Sequence, residues 1–159
     1  MVGAHPAEPG ACAMRLEVEL NGRPAALECE PDEMVIDVLR REGLTSVRAT
    51  CGIGICGACT VLLDSEPVSG CLLLAGQAAG RELTTVEGLA PEHPVARAFE
   101  AEHAFQCGWC TPGMVLTAKR LLEEISHPSD EQIAEGLGGN LCRCGCYLKI
   151  RAAVRRAAA

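Results

Sequence analysis

The spacing of the cysteines between residues 51 and 71 constrains this chain more than any other feature of its sequence. The segment CGIGICGAC and one later cysteine form the pattern C-x4-C-x2-C-x11-C, which consists of Cys51, Cys56, Cys59 and Cys71. The C-x4-C-x2-C…C spacing is typical of plant-type [2Fe–2S] sites. Glycines between the cysteines permit the tight backbone curl that points N–H groups at cluster sulfurs. The segment therefore predicts a [2Fe–2S] cluster, with zinc or structural thiols as alternatives.

A second group of cysteines lies in two short segments further along the chain. CGWC contains Cys107 and Cys110, and CRC contains Cys142 and Cys144. A C-x2-C pair alone suits zinc, a redox-active dithiol or an iron cluster. No predicted strand precedes the first segment, which argues against a thioredoxin-like motif, and the four histidines lack the cysteine spacing of a Rieske centre. Zinc bound by four cysteines remains open at this point.

The number of cysteines and the charge of the chain narrow its class. Eleven cysteines, an odd number, are more plausible as metal ligands in a reducing compartment than as disulfides. A formal net charge of −7 argues against binding to nucleic acid. No window is apolar enough to span a membrane. Residues 1–13 lack the features of a signal peptide and are predicted to form a flexible tail, so we expect a cytoplasmic protein.

Residues 14–90 are predicted to form a small α+β domain. Apolar and charged side chains alternate in MRLEVEL, and Asn21-Gly22 follows as a hairpin turn before a returning strand. Pro31 and Asp32 are predicted to open a helix that ends at Gly43. Later strands are predicted in TVLLD and ELTTVEGL, with SEPVSG as a turn between them.

Residues 91–159 show helical periodicity, which predicts four helices. Thr111 is predicted to cap the second helix, with Pro112 in its first turn. Ser129 is predicted to open the third helix and Tyr147 the fourth. The two cysteines of CRC occupy alternate positions on a segment that is predicted to be extended, so both should face the same side.

The segments CGIGICGACTVLLD, QCGWCTPGM and GNLCRC…Y together resemble the small iron–sulfur subunit of the molybdenum hydroxylases, the family of xanthine oxidase and aerobic carbon monoxide dehydrogenase. The resemblance covers residues 14–156. It implies a plant-ferredoxin-like β-grasp domain over residues 14–90, followed by a four-helix [2Fe–2S]-binding domain over residues 91–159. It also implies that each domain holds one [2Fe–2S] cluster, the second on Cys107, Cys110, Cys142 and Cys144.

The resemblance implies an electron-transfer subunit with no catalytic residue of its own. In similar enzymes, electrons pass from a molybdopterin centre on a large subunit to the helical domain, then to the ferredoxin-like domain, and on to FAD on a medium subunit. The expected assembly is a dimer of such heterotrimers. Gln106 and Cys110 match positions that contact the pterin in related proteins. A stand-alone ferredoxin-type carrier and a zinc-binding interaction module are the alternative functions.

Several residues depart from the family pattern or lie outside it. Thr50 stands where relatives usually have glycine, and Ile53 and Ile55 make the first cysteine loop more apolar. Trp109 is expected to pack at the second cluster or at an interface. CTPGM and ICGACTVLLD are closer to the flavin-containing branch of the family, whereas Gly145 is more typical of the flavin-free branch. A flavin partner is the favoured interpretation.

Three cysteines remain outside both sets of four. Cys12 lies in the predicted tail, and Cys29 is predicted to be a small buried hydrophobe on a strand. Cys146 is predicted to be a bystander next to the second set, and the alternative is a reserve ligand.

Overall fold

The computed structural model describes residues 14–158, and the predicted tail with Cys12 lies outside this range. Its N-terminal part is a five-stranded sheet with the strand order β2-β1-β5-β3-β4. The β1–β5 pair is parallel and the other pairs are antiparallel. The predicted α+β ferredoxin-like domain is thereby confirmed. The strands are β1 (Met14–Leu20), β2 (Arg23–Cys29), β3 (Thr60–Leu63), β4 (Glu66–Ser69) and β5 (Glu82–Thr84).

The hairpin between β1 and β2 forms as the sequence predicts. Leu20 pairs with Arg23, which leaves Asn21 and Gly22 as a two-residue turn with φ values of 53° and 73°. Positive φ at both positions is the type I′ geometry that matches the twist of the flanking strands. Cys29 ends β2 and is buried in the core, as predicted.

The first helix, α1 (Val35–Arg41), begins later than predicted. Pro31 and Asp32 lie in a turn, because the backbone that follows them pairs with another segment: the Glu33 carbonyl accepts the Ala75 N–H, and Met34 forms a bridge with Leu74. The buried face of α1 packs against the sheet. That core consists mainly of Leu16, Val18, Leu27, Val35, Val38, Leu39, Val61 and Leu83.

Four of the six residues of SEPVSG, Glu66–Ser69, form a strand, so the prediction of this segment as a turn is wrong there. Asp64 and Ser65 form the turn instead, with φ values of 49° and 68°, and Leu63 pairs with Glu66 across it. The strand β4 that follows lies at the edge of the sheet, where Pro67 is tolerated because its missing N–H costs no central ladder bond. The proline and the polar residues concealed the strand in the sequence.

The C-terminal part consists of four helices, as predicted: α2 (Pro94–Ala101), α3 (Thr111–Glu124), α4 (Asp130–Gly136) and α5 (Tyr147–Ala157). Their apolar faces enclose a second core around Phe99, Met114, Ile133, Ile150 and Val154. Ser129 caps α4, and its N–H in turn binds the side chain of Gln132. No helix among residues 14–158 is both long and apolar enough to cross a bilayer.

The start of α3 differs from the prediction by one residue. Cys110 occupies the N-cap position, and Thr111 is already the first helical residue. The hydroxyl of Thr111 is buried and has no hydrogen-bond partner within the described part of the chain. The predicted Thr111 cap is therefore wrong, and a cysteine stands at the terminus where helix N–H groups are exposed.

Candidate metal centres

The first centre consists of the loop that joins α1 to β3 and of Cys71, which follows β4. Its glycines adopt left-handed conformations, with φ of 73° at Gly54 and 65° at Gly57. A Cβ atom at Gly57 would lie 2.4 Å from the carbonyl oxygen of Gly139, so this position has no room for a side chain. The glycines therefore serve two needs: they let the loop curl, and they let the helical domain approach it closely.

Cys51, at the start of this loop, is surrounded by backbone N–H donors. The N–H of Ile53 and, next, that of Cys56 lower the pKa of the Cys51 thiol to about 6, and the Cys56 thiol also contacts it. Donors aimed at a sulfur favour its thiolate form, which is the form that binds a metal. The loop thus stabilises a charged sulfur without a basic side chain.

The other two sulfurs of the first centre lie deeper. Cys59 and Cys71 are buried and their thiols contact each other. Burial raises the pKa of Cys59 to about 11 in the absence of a metal. A cation at this position would offset the cost of burying the thiolates, because it supplies the opposite charge. The first centre therefore has an outer pair, Cys51 and Cys56, and an inner pair.

The second centre lies between the start of α3 and the turn before α5. Cys107 and Cys144 form its outer pair, with their sulfur atoms 3.5 Å apart. Cys110 and Cys142 form the inner pair, and burial raises the pKa of Cys110 to about 12. The backbone N–H of Trp109 is the main cause of the lowered pKa of Cys107. The second centre repeats the plan of the first.

The segment that carries Cys142 and Cys144 is a turn, so its predicted extended conformation is wrong. The N–H of Gly145 bonds the carbonyl of Cys142 at 3.2 Å, and Gly145 has a φ of 75°. Because the chain turns here, the two cysteines join different pairs. Both nevertheless lie at the same centre.

The pairing of the sulfurs fits a two-iron cluster better than one zinc ion. A structural zinc ion needs four ligands arranged as a tetrahedron around one point. A [2Fe–2S] cluster takes four cysteine thiolates distributed over two irons. Two adjacent pairs at each centre supply that arrangement.

The two centres are joined by hydrogen bonds between the domains. The N–H of Leu141, which precedes Cys142, donates to the carbonyl of Cys56 at 2.9 Å. This single bond connects the chain next to a sulfur of the second centre to the backbone of a cysteine of the first. A backbone hydrogen bond thus directly connects the segments that carry the two centres.

Asn140 is the functional residue that the sequence analysis missed. It is buried, and its Nδ2 donates to the carbonyl of Gly57 at 2.9 Å and to the hydroxyl of Thr60 at 3.1 Å. Its Oδ1 accepts a 2.9 Å bond from Thr117 on α3. A single amide therefore ties both cysteine-bearing segments to α3. The only signal in the sequence is an amide residue within GGN directly before a cysteine motif.

Cys146 occupies the N-cap position of α5 and makes no capping bond through its side chain. Its N–H points at the sulfur of Cys142 at 3.4 Å. Burial raises the pKa of Cys142, but the N–H of Cys146, the Cys110 thiol and further hydrogen-bond donors together outweigh burial, so the pKa is lowered. Both the backbone N–H and the thiol of Cys146 thus contact the Cys142 sulfur of the inner pair.

The surfaces beside the two centres differ in chemistry. Ile53 and Ile55 are 63% and 61% exposed, and with Leu72 they form an apolar collar around the first centre. Gln106 is exposed and directly precedes Cys107 of the outer pair of the second centre. Cys110, the other expected pterin contact, lies in the inner pair and is half-buried.

The chain is similar to known iron–sulfur proteins over both domains. Residues 18–88 match the family described as a 2Fe-2S iron-sulfur cluster binding domain, and residues 85–155 match the family described as a [2Fe-2S] binding domain. The chain is 46% identical to the nicotinate dehydrogenase small FeS subunit of Eubacterium barkeri, over 89% of this chain and 93% of that one. It is 42% identical to the nicotine 6-hydroxylase small subunit of Paenarthrobacter nicotinovorans, over 89% and 87%.

Solved structures agree with these similarities. A chain of quinoline 2-oxidoreductase from Pseudomonas putida 86 superposes with a TM-score of 0.89 at 40% identity, over 93% of this chain and 94% of that one. Aldehyde oxidoreductase from Desulfovibrio desulfuricans superposes with a TM-score of 0.86 at 40% identity. That match covers 91% of this chain and 17% of the other, so the same fold forms one part of a longer polypeptide there.

Proposed function

This chain belongs to the small iron–sulfur subunits of the molybdenum hydroxylase family, and on that basis we propose the path by which it carries electrons. Electrons from the molybdopterin centre of a large subunit reach the helical domain first, then the ferredoxin-like domain, and then FAD on a medium subunit. When bound, each [2Fe–2S] cluster supplies a one-electron redox centre. The observation that carries the proposal is the hydrogen bond from Leu141 to Cys56 between the two centres.

We assign the eight paired cysteines as the metal ligands. Cys51, Cys56, Cys59 and Cys71 would hold the first cluster, and Cys107, Cys110, Cys142 and Cys144 the second. The donor chemistry supports this assignment: thiolates are the ligands that such clusters use, and backbone N–H groups reach the outer sulfurs of both centres. The role of the chain's own residues is to hold these sulfurs, direct donors at them and keep the two sites close.

The proposed division of the chain follows the same grouping. Residues 14–90 form the ferredoxin-like [2Fe–2S] domain and residues 91–159 the helical one, after a tail of residues 1–13. The two cores and the positions of the two cysteine groups support this boundary, since each core packs behind one centre.

The proposed partners are two larger proteins, one that binds molybdopterin (the large subunit) and one that binds FAD (the medium subunit). We expect them to assemble with this chain as a dimer of heterotrimers in the cytoplasm. Gln106 and Cys110 would contact the pterin. The exposure of Gln106 beside Cys107 makes it the better supported of the two. The apolar collar at the first centre suits a partner that covers it, because removing exposed isoleucine side chains from water lowers the free energy of the complex.

The substrate of the complex is set elsewhere than on this chain. Relatives of similar identity carry the names of enzymes for different substrates, among them nicotinate, isoquinoline and aldehydes. A chain whose relatives at 37–46% identity serve enzymes for such different substrates fits an electron carrier. Selection of the substrate would then belong to the large subunit.

Metal analysis and electron paramagnetic resonance (EPR) of the purified complex test the proposal. We expect this chain to account for about four irons and for two distinguishable signals after reduction, because two two-iron sites each take up one electron. The co-purified subunits should contain the pterin and the flavin. Stoichiometric zinc on this chain, or a chain that purifies without larger partners, would contradict the proposal.

A further inference from the structure

Trp109 connects the two centres by a contact that the proposed function does not use. Its indole Nε1 donates a 2.8 Å hydrogen bond to the hydroxyl of Thr50, 59 residues earlier in the chain. Thr50 directly precedes Cys51 in the first centre, and Trp109 lies between the two cysteines of CGWC in the second. The bond therefore joins residues that each adjoin a predicted ligand, and it crosses the boundary between the domains.

Trp109 is also attached to its own centre. Its backbone N–H donates to the thiol of Cys107 in the outer pair. One residue thus contacts a sulfur of the second centre through its backbone and the loop of the first centre through its side chain. Movement of the indole is in this way coupled to the position of the Cys107 loop.

Arg48 contacts the face of the indole ring. Its guanidinium carbon lies 4.9 Å from the centroid of the Trp109 ring, a distance typical of a cation–π contact. Arg48 itself is fixed to the first domain, because its N–H bonds the carbonyl of Ala58. Two residues of the segment before Cys51 therefore hold the indole, one at its N–H and one at its face.

We propose that Trp109, Thr50 and Arg48 form a clamp between the domains, and that Trp109 is a positioning residue that fixes the separation of the two metal centres. The inference rests on the proposed function, since a fixed separation matters only if electrons cross it. It also gives the Thr50 hydroxyl a role, because a residue without a hydroxyl could not accept the indole N–H. The bond from Leu141 to Cys56 is a second tie across the same junction.

Conservative variants in the purified complex test the clamp. Thr50→Val removes the hydrogen-bond acceptor at nearly constant shape, Trp109→Phe removes the donor, and Thr50→Ser keeps a hydroxyl. Thr45→Val is the matched control, because Thr45 is an exposed threonine of the same segment whose side chain has no hydrogen bond within residues 14–158. The readouts are the EPR line splitting from magnetic coupling of the two reduced clusters and the rate at which an electron equilibrates between them.

The expected result is a weaker or broadened splitting and a several-fold slower equilibration in Thr50→Val and Trp109→Phe, with wild-type values in Thr50→Ser and Thr45→Val. The double variant Thr50→Val/Trp109→Phe should change the splitting and the rate no more than the more affected single variant, because both substitutions remove the same hydrogen bond. Thr50→Val keeps the test decisive if Trp109→Phe fails to load its cluster. Unchanged splitting and rate in Thr50→Val would overturn the clamp, whereas a wild-type complex without two cluster signals would overturn the proposed function instead.

Discussion

The two metal centres have the same plan of an outer and an inner sulfur pair, but they obtain it differently from the chain. Three sulfurs of the first centre come from a single stretch, residues 51–59, and the loop itself supplies the N–H donors. The second centre needs two segments that tertiary contacts bring together: the packing of the helical core and the bonds of Asn140 and Leu141 to the first domain. A local motif can thus define one centre, whereas the other depends on the tertiary structure.

This difference affects how readily each centre loses its cluster when part of the chain unfolds. The curl of the first loop is set by the positive φ angles of its own glycines, which do not depend on the packing of the helical core. At the second centre, the N–H of Cys142 donates to the hydroxyl of Tyr147 at 2.9 Å, so the ligand segment is held by the start of α5. Disruption of the helical core should therefore release the second cluster before the first.

The largest effect is expected from removal of one inner ligand at each centre. Cys71→Ser should abolish the signal of the first cluster and Cys142→Ser that of the second, and each should lower the iron content from about four to about two per chain. Because the second centre is part of a helix-packed structure, Cys142→Ser should also lower the melting temperature of the chain more than Cys71→Ser. EPR, iron analysis and thermal denaturation measure these results.

Cys146→Ser is the matched control for that comparison. Residue 146 contacts the sulfur of Cys142 through its backbone N–H and through its thiol. Serine retains the N–H and replaces the thiol with a hydroxyl donor, so both cluster signals should persist. If Cys146→Ser lost the second cluster while Cys144→Ser kept it, Cys146 would be a ligand and the assignment of Cys144 would be wrong.

The contrast between the centres also explains what the sequence could predict. The C-x4-C-x2-C spacing and the Asn21-Gly22 hairpin are local patterns, and the loop and the hairpin form as expected. The strand β4 was missed because Pro67 and its polar neighbours conceal it, although its partner β3 is only a two-residue turn away. The start of α1 was missed because Met34 pairs with the distant Leu74, which overrides its local preference. The same reason applies to Asn140, whose partners lie at residues 57, 60 and 117. Contacts between the domains leave no periodic signal in the chain.

A smaller effect is expected at the junction of the domains, where Gly113 in α3 meets the first loop. Helix propensity alone would make Gly113→Ala stabilising by about 1 kcal/mol. A Cβ atom there would lie 2.3 Å from the carbonyl oxygen of Gly57, which cannot move without displacing the first loop. We therefore expect a net loss of about 1–3 kcal/mol, as for other overpacked sites. Chemical denaturation of the cluster-loaded chain measures it.

Gly76→Ala is the control for the glycine in α3. Gly76 lies in a short 3-10 helix of the first domain, and a Cβ atom there meets nothing within 4 Å. Its effect should stay within about 0.5 kcal/mol, as at other surface positions. Equal effects of the two substitutions would mean that the close approach of α3 to the first loop does not matter for stability.

The smallest effect is expected from the ion pair on the surface of the same junction. Arg120 on α3 donates to Glu66 on β4, with Nη2 2.6 Å from Oε1, and the pKa of Arg120 is raised by this hydrogen bond. Both groups are open to water, so screening and the entropy of two long side chains offset most of the attraction. Arg120→Gln should lower the melting temperature less than Gly113→Ala does, and the difference from wild type should vanish at high salt. A loss as large as that of Gly113→Ala, or one that salt leaves unchanged, would mean that the domains are held together by charge rather than by the close backbone contact at Gly57 and Gly113.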